Sequence, residues 1–286
     1  MSISETQSQR HAERSPLDTP LRNTVVCADN LDLMTTLPDG CCDLIYTDPP
    51  FNSNRIVISS SKPTMRYDDR HGADSADYLS FLRPRLAEMR RLLSGRGNLC
   101  VHLDWRSVHH VRIMLDEMFG AENFLNEIIW HYRSGGQATR WFARKHDTLL
   151  LYARKKGQHT FNTLRGGTYR TKDLKTSSDG RPYKSTRKGR IYFHPDGPIT
   201  SDVWEIPFLS TVSKERTNYP SQKPEALVER LIRACSNQGD NVADFFCGSG
   251  TALVVAKQMK RDWIGCDSNP EAVAITNRRL EDVNFR

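Results

Sequence analysis

The sequence predicts an α/β fold, and three observations carry that prediction. Short apolar runs end repeatedly in Asp or in a turn, and segments of helical period alternate with them. In the last third of the chain a glycine-bearing bend at 247–250 joins a strand to a helix, inside a βαβα unit. A chain of 286 residues can bury one substantial core, which suits a single domain over 23–286 with an insertion better than two complete domains.

Taken in order, 24–29 reads as a strand and 31–37 as a short helix stopped at Pro38-Asp39-Gly40. Residues 42–47 form the next strand, running into Asp48-Pro49-Pro50-Phe51, and 52–72 lack periodicity and read as a loop. Over 78–93 the positions Leu82, Leu86, Met89 and Leu93 keep helical spacing; Pro84 should bend that helix or delay its start, and Gly95 should stop it. A strand at 98–103 precedes an amphipathic helix at 107–118 that ends at Gly120. Two strands follow, at 127–132 and 148–153, with a polar loop between them. After a segment without a clear pattern, Pro224 suits the first turn of a helix carrying Leu227, Val228, Leu231 and Ile232 on one side. The chain closes with a strand at 241–246, a helix at 251–259, a strand at 262–267 and a helix at 270–280 capped by Asn269.

Composition narrows the function classes. Hydrophobic content of 37% and charged content of 26% suit a soluble globular protein, and no apolar run is long enough to cross a bilayer, so no membrane partner is expected. The N-terminal residues are polar and lack the apolar centre of a secretory signal, so 1–22 read as a disordered tail and a cytoplasmic location is expected. The seven cysteines have no CxxC pair or framework spacing and read as reduced, mostly core residues; no histidine pattern suggests a metal.

Charge is distributed unevenly. Between 154 and 190 there are twelve Lys or Arg against two Asp, a local +10, so that with +7 overall the rest of the chain carries −3. A segment of this kind, which also holds Tyr169 and Tyr183, suits a polyanion gripped mainly through phosphates. Its candidate contacts are Arg165, Arg170, Lys172, Lys175, Arg181, Lys184, Arg187, Lys188 and Arg190, with Asn52 from the loop after Phe51. The segment 133–145, with Trp141, is a further candidate for facing the polyanion, whereas Trp130 reads as core.

Two motifs carry the chemistry. Asp48-Pro49-Pro50-Phe51 puts a carboxylate, a rigid backbone carbonyl and an aromatic ring at the tip of a buried strand, where a flat heterocycle with an exocyclic amine could be held. Asp244-Phe245-Phe246-Cys247-Gly248-Ser249-Gly250 is a strand-to-helix turn of the kind that lets a nucleoside approach the backbone, and Asp267 at the end of the next strand is placed to accept from ribose hydroxyls. The third glycine of a full GxGxxG is missing, which disfavours a dinucleotide.

These motifs, in this order, resemble those of the DNA amino-methyltransferases, specifically the circularly permuted beta group, and the resemblance runs from Thr24 to Leu280. It implies a Rossmann-like S-adenosylmethionine-dependent methyltransferase fold: a seven-stranded, mostly parallel sheet with helices on both faces and a basic DNA-recognition insertion at 154–200. S-adenosylmethionine is the implied cofactor. Its implied contacts are Asp29, Lys223, Asp244, Phe246, Cys247, Gly248, Ser249, Gly250, Thr251 and Asp267, with Asp48, Pro49, Pro50 and Phe51 as the catalytic set. Double-stranded DNA is the implied partner, and the resemblance leaves room for a homodimer and a cognate restriction endonuclease. Asp at the first catalytic position resembles adenine N6 enzymes more than cytosine N4 ones. The alternatives are a cytosine N4 or RNA methyltransferase, or a catalytically silent nucleic-acid-binding relative. The chain holds no Pro-Cys pair, which disfavours carbon-5 methylation of cytosine.

Overall fold

The computed structural model describes residues 21–53, 55–58, 66–70, 74–133, 137–210 and 212–283. The expected tail lies outside them except for its last two residues, and these are tied down: Leu21 packs against the core and Arg22 pairs with Asp262.

A central eight-stranded sheet organises the chain. Its strands are β1 (Thr24–Cys27), β2 (Cys42–Thr47), β5 (Leu93–Leu103), β6 (Phe124–His131), β7 (His146–Ala153), β11 (Val203–Glu205), β12 (Asn241–Asp244) and β13 (Asp262–Asp267). They lie in the order β1-β13-β12-β2-β5-β7-β6-β11, with every pair parallel except the two made by β7. The count exceeds the seven expected because Val203–Glu205 adds an edge strand to β6. Three residues are too short a run to register as a strand in the sequence.

Helices α1 (Asn30–Thr36), α2 (Ser75–Leu92) and α3 (Val108–Phe119) share one core cluster with Ile45, Leu99 and Val101 of the sheet. Helices α4 (Glu225–Cys235) and α5 (Thr251–Gln258) share a second cluster with Leu44, Tyr46, Cys100 and Val242. Neighbouring residues of β2 thus enter opposite cores, which is why this strand reads as an unbroken apolar run: it is buried on both faces. Helix α6 (Pro270–Glu281) closes the chain, capped by the Asn269 side chain on Glu271 N as expected.

Three local expectations are corrected. Helix α2 starts early, at Ser75, because Asp74 caps it through Ala76 N and Asp77 N, and Pro84 lies in its interior. Gly95 does not stop it; Leu93 is already extended and Gly95 lies inside β5. Pro224 stands just outside α4, as its N-cap.

Two segments read as irregular contain strands. Residues 52–72 hold the hairpin β3 (Ile56–Ile58) and β4 (Arg66–Asp68). The basic segment holds a three-stranded antiparallel sheet, β8 (Lys175–Thr176), β9 (Pro182–Thr186) and β10 (Gly189–Tyr192). Its strands are mostly exposed, so burial imposes no apolar alternation on them.

Candidate active site

The parallel strands deliver carboxylates to one edge of the sheet. Asp244 and Asp267 end β12 and β13, Asp48 and Asp104 directly follow β2 and β5, and Asp29 lies two residues beyond β1. Ligands of open α/β sheets bind outside this carboxyl edge. Here a cavity of about 700 Å³ opens, lined by all of 48–51, the expected catalytic set, together with Asp29, Lys223, Asp244, Phe246, Cys247, Gly248, Ser249, Thr251 and Asp267. Gly250 is the one predicted donor residue outside the lining, and it shapes the turn as the N-cap of α5.

On the donor side, Gly248 and Gly250 have φ of +51° and +73°, which side-chain-bearing residues rarely adopt. A Cβ on Gly248 would stand 2.9 Å from Cε1 of Tyr219, another lining residue, so the bare backbone keeps the cavity open there. Asp267 holds the turn, its Oδ2 accepting from Gly248 N (2.8 Å) and its Oδ1 from Asn269 N (2.8 Å). Asp29 caps α1 through Leu31 N and pairs with Arg85 (2.7 Å), and it lines the cavity as well. Phe246 packs 6.2 Å from Phe81, over which the Arg85 guanidinium stacks. Burial pushes the Asp244 carboxyl well up, and the charges of Asp48 and Asp267 add to it; burial also raises Asp267.

On the acceptor side, Lys223 Nζ pairs with Asp48 Oδ2, so of its two expected destinations, donor site or Asp-Pro-Pro corner, it takes the corner. Lys223 also lies 5.0 Å over the ring of Phe51. Tyr78 donates from its hydroxyl to Pro50 O (2.7 Å), and the buried Asp69 accepts from Asn52 N and Ser53 N, which together pin the corner and the turn after it. Asn52 sits at φ +54° in that turn. The second carboxylate oxygen, Asp48 Oδ1, is buried and has no hydrogen-bond partner among the described residues.

Sequence reasoning missed what lies behind Asp48. His102, fully buried on β5, has Nδ1 3.9 Å from Asp48 Oδ1 and 2.9 Å from the Tyr46 hydroxyl, while its Nε2 lies 3.3 Å from Asp147 Oδ2 on β7. Tyr132 donates to the other Asp147 oxygen. Burial works to raise Asp147, but the His102 hydrogen bond, with Lys223 and Tyr132, outweighs it and holds the carboxyl below the ordinary range. His102 and Asp147 stand 45 residues apart inside strands whose apolar pattern masked them.

The nine basic residues expected at DNA are all exposed, and among the described residues none lines the cavity. Arg181 is paired with Asp179, and Arg165 donates to Gly197 O, while Arg190 stacks on Tyr183. Trp130 is buried, as expected of a core residue, and Trp141 is 62% exposed. Five of the seven free cysteines are buried; Cys41 is partly so and Cys27 is exposed.

The geometry agrees with what comparison finds. The chain is 30% identical over 257 residues to the type II methyltransferase M.HpaI of Haemophilus parainfluenzae, covering 90% of this chain and 74% of that protein. It is 28% identical to the DNA adenine methyltransferase YhdJ of Escherichia coli (strain K12), covering 90% and 82%. The same fold occurs in the M1.HpyAVI complex with S-adenosylmethionine (TM-score 0.59, 20% identity, 90% and 98% covered). It occurs also in the cytosine-N4-specific PvuII DNA methyltransferase (TM-score 0.64, 18% identity, 94% and 89% covered). The model of the DNA methylase family that spans N6 and N4 enzymes matches residues 42–278, and the chain belongs to that family.

Proposed function

We propose that this protein is a site-specific DNA methyltransferase that transfers a methyl group from S-adenosylmethionine to the exocyclic N6 of adenine. The observation that carries the reading is the single cavity shared by the Asp48 corner and the Gly248 turn. The donor wall fits the cofactor: a glycine cradle that a Cβ would fill, two carboxylates at strand ends, and the ring of Phe246. When bound, S-adenosylmethionine supplies an electrophilic methyl group carried on a positively charged sulfur.

The protein's own residues act on the acceptor. An exocyclic amine is a poor nucleophile because its lone pair is delocalised into the ring. Asp48 Oδ1, the orphaned oxygen, and the Pro49 carbonyl accept the two N–H bonds, which draws the nitrogen toward tetrahedral geometry and frees its lone pair. Lys223 holds the carboxylate in place, and Phe51 stacks on the base. Positive charge develops on the nitrogen during attack, so Asp48 stabilises the transition state more than the ground state. The base must first leave the duplex, at a cost of a few kcal/mol. The basic hairpins of the 154–200 insertion grip the flanking phosphates of double-stranded DNA.

The Asp48 corner precedes the Gly248 turn by two hundred positions, an order that supports the circularly permuted beta group. Asp at position 48 and the likeness to YhdJ support adenine, and the likeness to M.HpaI supports a restriction-modification setting with a cognate endonuclease. A cytoplasmic location accords with the absence, among the described residues, of a helix long and apolar enough to cross a membrane. A homodimer is part of the same family-based expectation. The test is incubation with labelled S-adenosylmethionine and DNA followed by digestion to nucleosides. Label in N6-methyladenine is expected; label in N4-methylcytosine would overturn the base assignment, and no label in DNA would overturn the reading.

A further inference from the structure

Two chain segments that the site does not use meet at the same edge of the sheet. Trp105 and Arg106 come just after Asp104 at the end of β5, the parallel neighbour of β2, with Thr47 opposite Val101. Residues 140–144 lead into β7, whose Thr148 pairs with Leu103 at that end of β5. The Arg144 guanidinium lies 3.7 Å over the ring of Trp105 and 5.9 Å from that of Trp141, and Arg106 lies 4.9 Å from Trp105. The rings are in solvent: Trp105 is 44% exposed, Trp141 62% and Phe142 98%. Over 137–146 the chain carries Arg140, Arg144 and Lys145 and no acid; the nearby Asp104 is buried and holds Arg106.

Exposed rings interleaved with guanidinium groups offer stacking faces and positive charge together, the pairing that holds unstacked nucleotides. We infer that Trp105, Trp141, Phe142 and Arg144 form a ledge that stacks on nucleotides left unpaired when the target base leaves the duplex. The ledge is separate from the basic hairpins, which grip phosphates without regard to pairing. The inference rests on the reading of the chain as an enzyme that extrudes a base from DNA, since only then do unpaired nucleotides arise beside Asp48.

The test uses the full chain and two fluorescein-labelled 24-mer duplexes, one fully paired and one with three central mismatches, read by anisotropy without cofactor. The wild type should prefer the mismatched duplex about tenfold, the size expected for stacking of one base. Trp141→Ala/Phe142→Ala should abolish the preference and leave affinity for the paired duplex unchanged, with an unaltered Tm because both side chains are in solvent. The single variant Arg144→Gln should weaken the preference. A wild type without preference, or a double variant that keeps it, overturns the inference. So does a double variant that loses both affinities equally, or one that changes only the oligomeric state, which would make the ledge an interface between copies. Because binding is read without turnover, the two failures are distinct: a chain that methylates DNA without this preference overturns the ledge alone, and a chain that keeps the preference but transfers no methyl group overturns the enzymatic reading and with it the role given to the ledge.

Discussion

Gly250→Ala probes the donor turn with a magnitude that follows from the structure. At φ +73° an L side chain is strained by about 1–2 kcal/mol. The added Cβ would also lie 2.4 Å from Cγ2, 2.6 Å from Oγ1 and 2.9 Å from Cβ of Thr276, a fully buried residue of α6. Thr276 cannot swing into solvent, so the overlap must be relieved by moving α6 or the turn, which costs about 1–3 kcal/mol more. Together these predict a loss of about 2–5 kcal/mol, or a fall in Tm of roughly 10 °C at this chain length. Thermal denaturation measures it. Thr276→Ala deletes the two nearest atoms but sacrifices the bond from Thr276 Oγ1 to Gly248 O (3.0 Å). Gly250→Ala/Thr276→Ala should therefore be less destabilised than the two single changes added, by about 1 kcal/mol or more. Because Gly250 shapes the turn whose neighbours Cys247, Gly248, Ser249 and Thr251 wall the cavity, affinity for S-adenosylhomocysteine should fall in Gly250→Ala and recover partly in the double variant. A Gly250→Ala protein that melts with the wild type, or strict additivity in the pair, would show that the turn is not held by this packing.

Other consequences can be checked directly. Asp48→Ala should abolish methyl transfer while calorimetry finds donor affinity nearly intact, and residual turnover near the wild-type rate would remove Asp48 from its role. Lys184→Gln/Arg187→Gln/Lys188→Gln, all on the exposed β9–β10 hairpin, should reduce the slope of log affinity for DNA against log salt by about 3 if each cation meets one phosphate, and an unchanged slope would exclude the hairpin. Asp244→Asn should stabilise the fold at neutral pH while impairing activity. Below 3.8, the ordinary value, Asp244 is protonated folded and unfolded alike. As pH rises from there toward its raised folded value the unfolded chain gives up the proton first, so wild-type stability drains across that window. The Tm advantage of Asp244→Asn should accordingly grow with pH from near zero, and a constant or shrinking gap would contradict the burial effect.

What could be read from the sequence follows from how local its causes are. Strand β2 was legible to the residue because burial on both faces leaves a run bounded by Cys42 and Thr47, with Pro49 ending it. The cap of α6 was legible because Asn269 and Pro270 act within one turn. Gly95 misled because a glycine after a helical pattern usually ends it. Gly95 instead lies inside β5 with open space where a Cβ would stand, and the glycine that the close approach of β5 to β2 needs is Gly97, where a Cβ would meet Cys42 O at 3.0 Å. The basic hairpins were illegible because exposed strands need no apolar alternation.

The site divides the same way. Each motif residue follows from the turn that holds it, and all but Gly250 reach the cavity wall. The pairing of Lys223 with Asp48 joins positions 175 apart, and no local pattern could choose between that carboxylate and the donor. The same holds for His102 and Asp147, which the antiparallel turn of β7 against β5 brings together. These contacts make Asp48 more than a strand-end carboxylate, since one oxygen is neutralised by Lys223 while the other is left buried and unsatisfied. An unsatisfied buried acceptor costs about 1–3 kcal/mol, and a donor that satisfies it recovers that energy where it binds. In the function proposed above, the amine N–H of the target base is the donor that satisfies Asp48 Oδ1.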